Sequence, residues 1–139
     1  MSNEAALIAA IDGENAAIYA YGVIAAHVGG GAKRRALLAL GSHRSWLDRW
    51  SGLLTETHSP PMATAYDFPF PVVNAETARQ LAPIVENRLV VVYADLAAAS
   101  RDQVRSDAVL AAAECATRAV TWGASSQAFP HDFSSIPSA

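Results

Sequence analysis

Two stretches decide how this chain reads: ENAAIYAYGV at residues 14–23 and ENRLVVVYADL at residues 86–96. Each opens Glu-Asn and reaches a tyrosine two helical turns further on, Glu14 to Tyr21 and Glu86 to Tyr93. That spacing puts the acid and the phenol on one helix face. Apolar residues recur at intervals of three and four around both: Leu7, Ile11, Ile18, Ala25 and Val28 in the first, Ala82, Leu89 and Leu96 in the second. Both are therefore read as amphipathic helices. The run Leu89-Val90-Val91-Val92-Tyr93 has strand propensity, but the helical period on either side of it overrides that.

Working outward, helix one is expected to start on Ser2, a capping residue with Glu4 in the first turn, and to end at Gly29-Gly30-Gly31. Helix two is expected from about Ala32 to Thr57, stopped by Ser59-Pro60-Pro61. Helix three follows the cap Asn74 and runs to about Ala99, with Pro83 inside it and a kink expected near Arg79. Ser100-Arg101-Asp102-Gln103 has the form of a capping box opening helix four, which should end at Gly123. The 1–2 and 3–4 links are a few residues long, so each pair is an antiparallel hairpin. The 2–3 link, roughly residues 58–73, can span ~50 Å at about 3.3 Å per residue. That exceeds the ~38 Å of a 25-residue helix. The fold class is thus all-α, a four-helix bundle whose long 2–3 crossover returns helix three parallel to helix two. Tyr66, Phe68 and Phe70 should pack this link against the bundle. The bundle is expected over residues 1–124, with a Ser- and Pro-rich tail over 125–139 that Phe129 and Phe133 could dock.

Composition agrees and excludes several classes. Of 139 residues, 17% are charged, below the ~25% of a typical domain. Alanine occurs 30 times, which suits closely packed helices. The net charge of -3 offers no basic field to nucleic acid. One cysteine, Cys115, excludes a disulfide framework. No apolar run approaches the ~18 residues of a membrane span. The N-terminus lacks the basic region of a signal peptide, so a cytoplasmic location is expected.

The informative residues are the few ionisable groups inside the apolar stripes. Helix one carries Glu14 and helix three Glu86. Helix two carries His43 among Ala36, Leu40, Leu47, Trp50 and Leu54. On helix four, Leu110, Glu114 and Thr117 fall on one line. Glu14, His43, Glu86 and Glu114 all lie near helix midpoints, so they are expected in one central layer. Buried carboxylates are costly unless paired or metal-bound. The two hairpins also echo each other, with Arg44 and Arg118 at similar places on their second helices.

These residues resemble a ferritin-like domain, and more narrowly the DUF4439 family, a ferritin-like family of actinobacteria without an assigned activity. The resemblance covers roughly residues 5–123. It is carried by the two stretches above together with AYDFPFPV (65–72) and ATRAVTW (116–122). It implies a four-helix fold. A ferritin-like di-iron centre uses one Glu from each of two helices and a Glu-x-x-His from each of the others. Glu14 and Glu86 match the lone glutamates. Leu40-Gly41-Ser42-His43 has lost its Glu, and Glu114-Cys115-Ala116-Thr117 has lost its His.

Three readings follow. In the first, no cofactor binds. Arg44 and Arg118 replace the metal as counter-charges to the glutamates, and Tyr21 and Tyr93 donate hydroxyls into the same layer. In the second, iron or manganese binds through Glu14, His43, Glu86 and Glu114 in an oxidoreductase. In the third, a slot lined by Trp and Tyr carries a small apolar ligand. A homodimer is expected, with surface Trp and the aromatic crossover as its contacts. The basic run Lys33-Arg34-Arg35 opposes the dipole of helix two and reads as a solvated hairpin end. His27 complements the dipole of helix one, and His58 and His131 read as solvated loop residues. Cys115 reads as a small buried apolar residue.

Overall fold

A computed structural model of the chain describes residues 1–56, 58–59 and 67–125. Four helices account for most of them: α1 (Asn3–His27), α2 (Gly30–Ser51), α3 (Ala75–Ala99) and α4 (Asp102–Thr121). The described residues contain no strand. Ser2 caps α1, its hydroxyl accepting from the Ala5 N–H at 3.1 Å. Asn74 caps α3 in a reciprocal box with Thr77. Pro83 lies within α3, which is assigned as one helix on both sides of it.

Three helix ends differ from expectation. Gly30 and Gly31 belong to the first turn of α2, with Gly29 as its cap. Helix α2 stops at Ser51, six residues short of Thr57. There Gly52 closes it: its N–H donates to the Asp48 carbonyl and the next N–H, of Leu53, to the Trp50 carbonyl. Helix α4 has Arg101 at its cap with no side-chain bond. The expected capping residue, Ser100, is drawn off by α1: its hydroxyl accepts from Asn3 Nδ2 at 2.8 Å. At the far end Gly123 takes the left-handed conformation just past α4 (φ 107°).

The helix bounds reveal an internal repeat at a constant offset of 72 residues (3 to 75, 27 to 99, 30 to 102). Even the backbone at the second helix start repeats, with Gly30 at φ 55° and Asp102 at φ 51°. The offset pairs Glu14 with Glu86, Tyr21 with Tyr93, His43 with Cys115 and Trp50 with Trp122. It pairs Arg118 with Trp46, not with Arg44.

Cross-helix contacts set the directions. Asn3 meets Ser100, and Tyr21 meets Glu86, so α1 and α3 are antiparallel. Arg118 meets Ser42, and Asp107 meets Arg49, so α2 and α4 are antiparallel. Two described residues between α2 and α3 touch α1: His58 bonds Asp12 (2.7 Å), and the Phe68 ring lies 5.7 Å from that of Tyr19. His58 is thus held by a hydrogen bond to Asp12 instead of by solvent alone. Phe68 and Phe70 pack on the bundle as expected. Tyr66, Phe129, His131 and Phe133 lie outside the described residues.

The apolar core falls into two clusters, one centred on Leu7, Ile11, Trp50, Leu89 and Leu96, the other on Ile24, Ala25, Val28, Ala36 and Leu81. Alanine lets the helices approach closely. At Gly13 on α1, a Cβ would stand 2.8 Å from Leu89 Cδ2 on α3. On α4 the core line is Ala108, Ala111, Cys115 and Ala119. The expected line through Leu110 and Thr117 faces outward, with Leu110 53% exposed. The apolar surface lies at Leu37, Leu38, Val109 and Leu110, not at the tryptophans, of which Trp50 is fully buried. Among the described residues no helix is long and apolar enough to cross a membrane.

Candidate functional site: a buried charge network at the bundle centre

Between the two apolar clusters sits a polar layer whose members come from all four helices. Glu14, His43 and Glu86 are all fully buried. His43 lies between the two acids: Nδ1 is 2.6 Å from Glu14 Oε2, and Nε2 is 2.9 Å from Glu86 Oε1. A carboxyl acceptor at each ring nitrogen favours the imidazolium form, in which both nitrogens donate. Burial alone would lower the histidine pKa. Hydrogen bonds to Glu14 and Glu86, and then their charges, outweigh it and push the value up to about 9.

The tyrosines exchange partners between the repeats. Tyr21 on α1 donates to Glu86 Oε1 on α3 at 2.7 Å. Tyr93 on α3 donates to Glu14 Oε1 on α1, and accepts from Trp50 Nε1 at 2.9 Å. Two equivalent helices running antiparallel place each phenol beside the other's acid. Burial, reinforced by the adjacent carboxylate charge, raises the pKa of both phenols, so they stay protonated donors. The Tyr21 ring also stacks on His43, centroids 5.4 Å apart.

Arg118 completes the layer from α4. Its Nε donates to Glu86 Oε1 at 2.8 Å and its Nη1 to Ser42 Oγ at 3.3 Å. Burial would raise the Glu86 pKa, but the His43 hydrogen bond and charge, together with Arg118, lower it. His43 and Arg118 thus set two cationic groups against the two glutamates of the layer. Glu86 Oε2 is the one buried side-chain oxygen or nitrogen without a hydrogen-bond partner among the described residues. Cys115 lies beside this acid. Burial, then the Glu86 charge, raises the thiol pKa, which leaves it a poor nucleophile.

Of the eight residues expected at the centre, the structure brings together six: Glu14, His43, Glu86, Arg118, Tyr21 and Tyr93. Arg44 is exposed. It follows His43 directly, and one helical residue turns a side chain by about 100°, away from the layer. The second cation is His43 itself. Glu114 precedes the buried Cys115 and is turned toward α2, where its Oε2 accepts from Trp46 Nε1 at 2.8 Å. Sequence reasoning missed Trp50 and Ser42 as members of the layer. The repeat offset was the available signal for Trp50, since it matches Trp122, which stands 6.4 Å from Tyr21 as Trp50 stands 5.8 Å from Tyr93.

A four-helix bundle with paired glutamates and tyrosines buried at its centre is the class these features define. The chain matches the family described as "Domain of unknown function (DUF4439)" over residues 6–131, and it belongs to that family. It is similar to a crystal structure of a conserved hypothetical protein, rv2844, from Mycobacterium tuberculosis. The two share 30% identity with a TM-score of 0.78, over 86% of this chain and 93% of that one. No curated protein matches it.

Proposed function

We propose that this chain is a ferritin-like bundle in which an ion network occupies the place of a metal centre, and that its role is non-catalytic: a rigid helical scaffold for binding. The observation that carries this reading is the state of His43. Both ring nitrogens are bonded to carboxylates, so neither offers a lone pair to a metal. Three of the four carboxylate oxygens of Glu14 and Glu86 are engaged as well, Glu86 Oε2 being the exception. Glu14 spends one oxygen on Tyr93 and the other on His43, while Glu86 Oε1 serves Tyr21, His43 and Arg118. Glu114, needed as a fourth ligand, is bonded to Trp46 instead. Among the described residues no group of three or more His, Cys, Asp or Glu is disposed to hold a metal ion. These donors therefore do not fit iron or manganese as arranged.

The test is metal content per chain after purification without chelators, followed by titration with ferrous or manganous ion. Metal content near zero and an unchanged melting temperature on addition are expected, because a ligand that binds only the native state would raise it. One or more tightly held equivalents, lost in a Glu14→Ala/Glu86→Ala chain, would restore the oxidoreductase reading. The apolar-ligand reading is favoured less, because the apolar cleft of about 250 Å³ between α1 and α3 is lined mainly by Ala, Leu, Val and Phe68 and carries neither the Trp nor the Tyr which that reading expects.

A further inference from the structure

The internal repeat exposes an asymmetry on the α2/α4 face. Two arginines of α2 each lie over a tryptophan, one tryptophan from each half of the repeat. Arg49 lies over Trp50 with its guanidinium carbon 5.9 Å from the ring centroid, and Arg35 lies over Trp122 at 4.9 Å. Arg49 has a carboxylate: Asp107 of α4 pairs with its Nε at 3.0 Å and its Nη2 at 2.9 Å. Arg35 has no ion-pair partner among the described residues, and the repeat offset pairs Arg35 itself with Asp107. Beside Arg35 is instead a cleft of about 200 Å³, walled by Arg118, Leu38, Ala39, Thr121 and Trp122. No acid lines it. Two guanidiniums, a tryptophan and two aliphatic side chains thus border one small space.

We propose that this cleft binds a small organic carboxylate with an apolar body. The carboxylate takes the role toward Arg35 that Asp107 takes toward Arg49, and the body lies on Trp122, Leu38 and Ala39. Arginine suits this because its fork meets both oxygens of a carboxylate, and stacking on Trp122 holds the fork in place before the ligand arrives. The volume is below the ~300–1,000 Å³ of drug-sized sites, so the ligand is small. Arg118 gives the cleft a link inward. Its Nε is committed to Glu86, while its terminal nitrogens have only long contacts, 3.3 Å to Ser42 and 3.6 Å to Cys115. A bound carboxylate therefore shares Arg118 with Glu86. The site stands on Arg35 and Trp122, outside the buried network, so its success or failure is separate from the metal question.

The test is a titration of the full chain with benzoate, followed by the three tryptophan indole N–H signals in a ¹⁵N spectrum. Benzoate should shift the Trp122 signal saturably and leave that of Trp50 in place. Arg35→Gln should weaken binding by at least about tenfold, since it removes a charge-assisted pair. Arg34→Gln, its exposed neighbour, should bind as the parent does. Inorganic phosphate should bind more weakly than benzoate, lacking a body for the apolar wall. The proposal is overturned if Trp122 does not respond, if Arg35→Gln binds equally well, or if phosphate matches benzoate. An unchanged melting temperature of Arg35→Gln without ligand separates lost binding from lost fold.

Discussion

The hairpin of α1 and α2 and the hairpin of α3 and α4 carry Glu, Tyr and Trp at matching positions, yet their cations differ. Where the first hairpin has His43 the second has Cys115, and where the first has Trp46 the second has Arg118. A symmetric layer would give each carboxylate its own cation. Here one imidazolium bridges both acids, and the remaining charge is met from one side only, by Arg118 on Glu86. The repeat therefore supplies the acids and their phenols, and the differences between the second helices supply the neutralisation. This division predicts that equivalent substitutions in the two halves have unequal costs.

The largest inequality is expected between His43 and its counterpart Cys115. His43→Leu leaves two buried carboxylates facing each other without their bridging cation, which should cost roughly 3–5 kcal/mol in urea unfolding. Cys115→Ala loses only one buried sulfur and should cost about 1 kcal/mol. Equal costs would show that His43 is not the bridge. The same bridge sets a pH dependence. A folded pKa of about 9 against 6.5 unfolded means the native chain binds this proton more tightly. The stabilisation, roughly 3 kcal/mol, is full below pH 6.5 and is lost as pH rises toward 9. Glu86 acts in the opposite sense. Its lowered pKa stabilises above the usual carboxylate range, and that contribution disappears as acid protonates it. Stability should therefore peak in weak acid and fall on the alkaline side, and His43→Leu should flatten the alkaline fall.

The tyrosines give a smaller contrast. Tyr93→Phe strips Glu14 Oε1 of its donor and Trp50 Nε1 of its acceptor, so about 2 kcal/mol is expected. Tyr21→Phe leaves Glu86 Oε1 with His43 and Arg118 and should cost about 1 kcal/mol. The reverse order would contradict the asymmetry. The smallest effects should fall outside the layer. Gly30→Ala places a side chain at φ 55° and should cost about 1 kcal/mol. Arg44→Ala, on the solvent face, should stay within about 0.5 kcal/mol. A large loss at Arg44 would return it to the centre.

The legibility of the fold and the site followed the contrast between residue types. Glu14, His43 and Glu86 were visible because each interrupts a stripe of large apolar residues, where a charge stands out. Helix α4 offered no such background. Its buried line is Ala108, Ala111, Cys115 and Ala119, while Val109, Leu110 and Val120 face outward. Hydrophobic size therefore pointed to the wrong face and brought Glu114 inward by one residue. Arg44 was misplaced for a related reason, through an approximate match of the hairpins where the true repeat has a constant offset. The cap of α4 was hidden because Ser100 is claimed by Asn3, ninety-seven positions away, and no local pattern records that.

The central claim, that a protonated histidine takes the place of a metal between Glu14 and Glu86, is tested most directly by ¹⁵N NMR of the His43 ring across a pH series. The account predicts that both ring nitrogens carry protons at pH 7.5 and lose one only near pH 9. A neutral ring at pH 7.5 with one bare nitrogen would contradict it, as would a nitrogen shifted by bound metal.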